Sequence, residues 1–277
     1  MNIVGLGNAG CKIAKIFEEH EQYKTYYIDT ENSGYDNFFR VKKQNSHEEY
    51  EKNYKKIKFH LGSEETTFIL SGAGDISGCI LRILEQLKNE KLTILYIKPD
   101  FSHLTEVQKT KHRITFGVLQ QYARSNLFKM MYVVSNEEVE KIVENVSIKD
   151  YWRDINNIIF STYHMINVFN NNEPLLTTCA KIPTVSKIAT LGVVNYETGK
   201  EKLFYDLQFP RLRNYFYGIN DATLEQDREI LHNIRAFVSK LSSDKTDVGF
   251  AIYSTDYDHN YVYSAHYASF IQEQKIE

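Results

Sequence analysis

Three glycines near the start of the chain, Gly5, Gly7 and Gly10, are spaced G-x-G-x-x-G and follow an apolar run from Ile3 to Leu6. Glycines in a turn between a strand and a helix let backbone N–H groups approach a phosphate, and the helix N-terminus favours the negative charge. With Asp29 closing the next apolar run in YYIDTE, the pattern also satisfies a dinucleotide fingerprint. A second glycine-rich turn, SGAGDISG, carries Gly72, Gly74 and Gly78, again between an apolar run and a helical pattern. Here Asp75 or Ser77 is expected to cap the helix. A dinucleotide enzyme needs one such turn, at the crossing point of its sheet. Two suit a single phosphate chain gripped from both sides. The Walker pattern G-x-x-x-x-G-K-[ST] and the nucleophile pattern G-x-S-x-G are absent. The histidines, among them His60, His103, His112, His164, His232, His259 and His266, have no metal-ligand spacing.

The patterning of the chain supplies a frame for these turns. Strand-like runs NIVGL, KTYYID, TTFILSG, LTILYIK and KMMYVVS alternate with helical patterns at residues 9–20, about 75–89 and about 104–125. That alternation implies a parallel sheet covered on both faces. Residues 32–61 are polar and read as a long surface excursion, partly helical. Residues 148–170 form the most apolar helical stretch, suited to burial between layers. Beyond it, KIATLGVVNY and KEKLFYDLQF read as neighbouring strands around the turn ETGK. RNYFYGIN, VGFAIYST and NYVYSAHYASF are further strands, and residues 221–241 predict one amphipathic helix. The expected organisation is a nucleotide-binding domain over 1–147, a central helix over 148–172 and an α+β domain over 173–277.

Composition narrows the classes of function. The 277 residues carry a net charge of −3 with both signs mixed along the chain, which argues against a dedicated nucleic-acid surface. No apolar run approaches a membrane span, and no signal-like segment opens the chain. Cys11, Cys79 and Cys179 suit neither a metal site nor a disulfide framework, so a cytoplasmic protein with reduced thiols is expected.

The order of these landmarks resembles the tubulin/FtsZ superfamily through most of the chain. GNAGCKI, with Gly7, Asn8, Ala9, Gly10, Cys11 and Lys12, is similar to the first phosphate loop of tubulin. GAGDISG, with Gly72, Ala73, Gly74, Asp75, Ile76, Ser77 and Gly78, stands where the family carries GGGTG[ST]G. IDTEN, with Asp29, Thr30 and Glu31, resembles the FtsZ loop near the terminal phosphate. KPDFSHLTE is similar to the FtsZ stretch KPFxFEG; it contributes Phe101 and puts Glu106 where the family uses an acid on the ribose. VVSNEEV resembles the strand end VIPND, which would bring Asn136 to the guanine. Trp152 and Asn156 match an aromatic and an amide of the family's central helix, and the i, i+4 spacing puts both on one face.

The resemblance implies an α/β fold: a Rossmann-like parallel-sheet GTPase domain, a long central helix and a C-terminal α+β domain. It implies GTP or GDP as ligand, with Mg2+ admitted as a companion ion, and the chain itself as head-to-tail partner in a filament. The compact length and the lack of a long acidic tail point to a divergent small prokaryotic, plasmid or phage member. Two departures stand against the family pattern. Asp75 and Ile76 replace a Thr and a Gly in the second loop, where an acid repels phosphate unless it caps the helix or is bridged by a cation. The loop after the central helix, NNNEPLLTTCAKIPTV, lacks the family's N-x-D-x-x-[DE]; its one carboxylate, Glu173, is the only catalytic candidate. Hydrolysis therefore stays open, and so do two alternatives: a non-polymerising, catalytically inactive tubulin-like binding protein, and an NAD(P)-dependent oxidoreductase built on Gly5, Gly7, Gly10 and Asp29.

Overall fold

The computed structural model describes residues 1–58, 60–62, 64–87, 91–143 and 147–271. The chain divides into two compact units, Met1–Phe160 and Ser161–Glu277.

The first unit alternates strands and helices: β1 (Asn2–Leu6), α1 (Gly7–Ile16), β2 (Lys24–Asp29), β3 (Phe38–Arg40), α2 (His47–Lys52), β4 (Thr66–Leu70), α3 (Ile80–Leu87), β5 (Leu92–Lys98), α4 (Glu106–Arg124), β6 (Met130–Ser135) and α5 (Asn136–Glu140). Its strands lie in the order β3-β2-β1-β4-β5-β6, and every pair is parallel. All residues of β1, β4 and β6 are buried, as expected for strands covered on both faces. From β1 the chain first builds outward through β2 and β3, then returns to lay β4, β5 and β6 on the other side. The reversal falls between β1 and β4, where doubly wound sheets open a crevice at the carboxyl ends of the strands.

The segment expected as a surface excursion is anchored. It contributes β3 to the sheet edge and lays α2 on the turn at Asp75–Cys79 and on α3, and Val41, Tyr50 and Ile57 are buried. Gln86 of α3 holds it: Oε1 accepts from the Tyr54 hydroxyl at 2.7 Å and from Ile57 N at 3.2 Å, and Nε2 donates to Ile57 O at 3.2 Å. The helix expected over 75–89 is a 3-10 turn at Asp75–Cys79 followed by α3, and positions 88 and 89 lie outside the described residues.

The long helix α6 (Tyr151–Asn170) runs through the boundary between the units. In the second unit follow β7 (Leu176–Thr177), β8 (Ile188–Val194), β9 (Glu201–Leu203), β10 (Leu212–Asn220), α7 (Asp221–Gln226), α8 (Ile230–Leu241), β11 (Asp247–Thr255) and β12 (Tyr261–Ala268). The sheet is mixed, ordered β8-β12-β10-β11-β7 with β9 antiparallel on β8. β10 is parallel to β11 and antiparallel to β12, and α8 packs Ile230, Ile234 and Val238 against Tyr215, Tyr217 and Phe250. The single helix expected over 221–241 is two. Asp227 leaves helical geometry at φ −97, ψ 103, and its carboxylate accepts from Glu229 N at 2.8 Å, a local side-chain turn that competes with the helix.

Candidate functional site

Both glycine turns sit at the carboxyl ends of β1 and β4, the adjacent strands that flank the reversal of the sheet. The first turn is the opening of α1 itself. Gly7 has φ +65, a conformation that L side chains rarely adopt. Leu6 at the N-cap offers no side-chain hydrogen bond, and the first turn holds no acidic residue, so its N–H groups have no built-in anion. Asn8 and Lys12 are exposed and Ala9 is half-buried.

The other two glycines of the G-x-G-x-x-G serve packing. A Cβ on Gly5 would come 2.5 Å from Gly10 O, and one on Gly10 would collide with the Ile69 carbonyl, so α1 lies directly on β1 and β4. The Cys11 side chain also faces inward, its Sγ 3.4 Å from Gly5 O and 3.6 Å from Ile28 O. Burial pushes this thiol up to about 12, against the bond to Ile28 and with the charge of Asp29 adding to it. The Cys11 side chain is therefore closed to a ligand.

In the second turn Gly72 is pressed against Tyr96, His112 and Thr115, while Gly74 opens onto free space. The expected cap is absent: Gly74 is the N-cap, and the Ser77 hydroxyl turns back to donate to Gly72 O at 2.9 Å. Ala73 and Ser77 are buried, which leaves Gly74, Asp75 and Ile76 to face outward. Ile76 is not among the residues of positive φ; the loop takes a different path from a glycine there, as its branched side chain requires. Its Cγ2 lies 3.0 Å from where a Gly7 Cβ would be, so the two turns touch. Asp75 is paired with Lys111 of α4, the cation that the sequence alone does not supply. Gly78 is covered by α2, since a Cβ there would collide with the His47 carbonyl.

Asp29 ends β2, half-buried. Burial raises its carboxyl, the Thr30 N–H (2.7 Å) and hydroxyl oppose the rise, and the charge of Glu31 adds to it. After β5, the Lys98 ammonium lies 4.7 Å over the Phe101 ring, whose edge meets His112 at 4.9 Å. Glu106 opens α4 behind the capping box of Thr105 and Gln108; it is 79% exposed and paired with Lys109 at 2.8 Å. Asn136 opens α5 at the carboxyl end of β6. Trp152 is 56% exposed, edge-on to Tyr151, and Asn156 is half-buried one turn on. Tyr151 is pushed up to about 12 by burial and by its hydrogen bond to Glu140, and that bond ties the start of α6 to the helix that carries Asn136.

Glu173 is exposed just beyond α6, in the second unit. No group of three or more potential metal ligands occurs among the described residues. Among them, no helix is long and apolar enough to cross a membrane. A further polar cluster lies in the second unit: Glu201 accepts from Ser264 at 2.5 Å and Tyr215 at 3.2 Å, and His266 Nε2 lies 2.9 Å away. The carboxylate stands between Ser264 and His266, so no base reaches the hydroxyl and the cluster lacks the order of a nucleophilic triad.

Sequence reasoning missed Lys111 and His112, and it expected helix within residues 32–61 without locating α2. Lys111 is 36 positions from Asp75, and no local pattern joins them. For α2 the signal was Ser46 with Glu49 three residues on, a capping pair now seen as a bond from Glu49 N to the Ser46 hydroxyl at 3.2 Å.

No known sequence family matches this chain, and no curated relative does. Solved structures do. GDP-form protofilaments of TubZ from Bacillus thuringiensis serovar israelensis match at TM-score 0.73 and 15% identity, over 97% of this chain and 88% of that one. An empty FtsZ dimer from M. jannaschii matches at 0.68 and 13%, over 100% and 92%. CetZ from Methanosaeta thermophila matches at 0.64 and 13%, over 97% and 87%. The chain therefore has the tubulin/FtsZ fold.

Proposed function

We propose that this chain binds a guanine nucleotide between the turns Gly7–Lys12 and Gly72–Gly78 and assembles with copies of itself, head to tail, into cytoskeletal filaments. The observation that carries the reading is the placement of both glycine turns, in contact through Ile76 and Gly7, at the point where the sheet reverses. Strand order alone does not separate this from a dinucleotide enzyme, which shares it. The second turn and the likeness of the whole chain to the tubulin/FtsZ fold favour the guanine reading over the NAD(P) one.

The residues fit such a ligand. The uncapped opening of α1, the open backbone at Gly74 and Lys12 suit the phosphates; Glu106 suits the ribose; Asn136, Trp152 and Asn156 suit the base. Self-association is supported by the filament and protofilament forms of the TubZ neighbours. It is also supported by Leu175, Ile182 and Val185, which the segment after α6 exposes at 65%, 39% and 54%. A heterologous contact that does not close yields an open polymer.

Hydrolysis is expected to be weak. Glu173 is the one carboxylate in the segment after α6, and a group that positions the attacking water is one of the parts phosphoryl transfer relies on. The same observation favours a second reading, a binding protein of this fold that neither hydrolyses nor polymerises. Nucleotide content of the purified protein, titration with GTP, GDP and NADH, and pelleting with guanine nucleotide test these readings together. Guanine binding with sedimenting filaments is the expected result. Preference for NADH overturns the nucleotide assignment, and hydrolysis that rises faster than linearly with protein concentration overturns the inactive reading.

A further inference from the structure

A carboxylate at the second glycine turn is out of place in a phosphate site. Asp75 follows directly on Gly74, the one glycine of that turn whose Cβ direction opens onto free space, and its side chain is 48% exposed. A phosphate approaching Gly74 meets a like charge at a separation where Coulomb repulsion is only partly screened. Yet Asp75 is paired with Lys111, whose side chain is only 18% exposed.

Lys111 is not a loose surface lysine. It belongs to the part of α4 that is pressed on the same turn: His112 Cα and Thr115 Cβ lie 3.3 and 3.2 Å from where a Gly72 Cβ would be. From the other side α2 closes over Gly78, and the His47 imidazole senses the charges of both Asp75 and Lys111. The ion pair is thus held between two packed helices, at the mouth of the turn.

We propose that Lys111 is the charge-compensating residue of this site: its ammonium, held on Asp75, cancels the carboxylate so that the second turn accepts the phosphates of a nucleoside di- or triphosphate. The inference rests on the nucleotide reading above and adds a positioning residue, one that acts through Asp75. It also accounts for how a turn with an acid at this place keeps a phosphate-binding role.

The test is a four-protein comparison of GDP affinity at one fixed salt concentration: the natural chain, Lys111→Met, Asp75→Asn, and the double substitution. If the natural chain binds no guanine nucleotide, the nucleotide reading itself has failed. If it binds, Lys111→Met is expected to weaken binding roughly tenfold or more, the scale of one like-charge contact near a protein surface. Asp75→Asn alone is expected to bind at least as tightly as the natural chain. The double substitution is expected to recover most of the loss, which a merely structural role of Lys111 would not produce. Lys111→Arg keeps the charge and is expected to bind like the natural chain; should the Met variant fail to fold, Lys111→Gln, alone and with Asp75→Asn, is expected to show the same loss and recovery. Unchanged affinity in Lys111→Met overturns the inference. So does a double variant as weak as Lys111→Met, because Lys111 would then act on the phosphate rather than on Asp75.

Discussion

Acidification should loosen the first unit through one side chain. His112 is 2% exposed, with Nδ1 2.8 Å from the Tyr96 hydroxyl and its ring stacked 5.3 Å from Phe116. Burial, reinforced by the positive charges of Lys98 and Arg113, lowers its pKa to about 4. The unfolded chain takes up a proton near pH 6.5, and the folded chain refuses it until near pH 4. The contribution is therefore complete above pH 6.5 and is lost as pH falls, at about 1.4 kcal/mol per pH unit and roughly 3 kcal/mol in all. Most carboxylates titrate below this window, and His47, also lowered by burial, remains in both proteins compared. The assay is urea unfolding at pH 7, 6 and 5 for the natural chain and for His112→Asn, whose amide oxygen can still accept from Tyr96. Between pH 7 and pH 5 the natural chain should lose about 2 kcal/mol more than the variant. Parallel profiles for the two proteins would show that His112 is protonated in the fold at no such cost, and would refute the desolvation argument.

Glycine substitutions should sort by their surroundings. Gly10→Ala drives a methyl into the Ile69 carbonyl and should cost roughly 3 kcal/mol or more, whereas Gly74→Ala, at φ −79 and in open space, should stay within about 1 kcal/mol; thermal unfolding separates them. Glu201 is lowered: burial raises its carboxyl, but His266, Ser264 and Tyr215 outweigh that, so its contribution is present above pH 4.5 and fades as the solution is acidified further. Glu201→Ala should destabilise the second unit by roughly 3 kcal/mol near neutrality, read by calorimetry, and the gap to the natural chain should narrow in acid. Trp152 is the only tryptophan in the chain and half-exposed, so a GDP titration should change its emission; an unaltered spectrum with binding confirmed by another method would remove it from the base site.

Most of the first unit was legible because its strands are short apolar runs between turn residues, and their alternation with helical patterns admits few topologies. The two turns were legible for the same reason: glycine at a strand end has few other uses. What the sequence concealed was which glycine did what. Gly5 and Gly10 keep a helix close to a sheet, and Gly7 alone takes the left-handed conformation. The division between backbone freedom and packing depends on atoms brought in by β4, some sixty residues later. The pairing of Asp75 with Lys111 depends in the same way on how α4 lies. The break at Asp227 was hidden for the opposite reason: the amphipathic pattern runs across it, and one carboxylate bonded to a nearby backbone N–H outcompeted the pattern locally.

The strand order of the second unit also dictates a schedule. β12 comes last in sequence among the described strands, yet it lies inside the sheet, antiparallel to β8 on one side and to β10 on the other. While the chain is being synthesised, β8 and β10 emerge with the facing edges that β12 will fill still bare, and they stay so until residue 268 has been made. At roughly 5–20 residues per second, the interval between β10 and β12 lasts a few seconds. During that time two long apolar strands offer open hydrogen-bonding edges to any neighbour on the same messenger. The nascent second unit is thus the part of this protein with most need of a chaperone, and the first unit, whose sheet is complete at residue 135, is the part that can wait folded beside it.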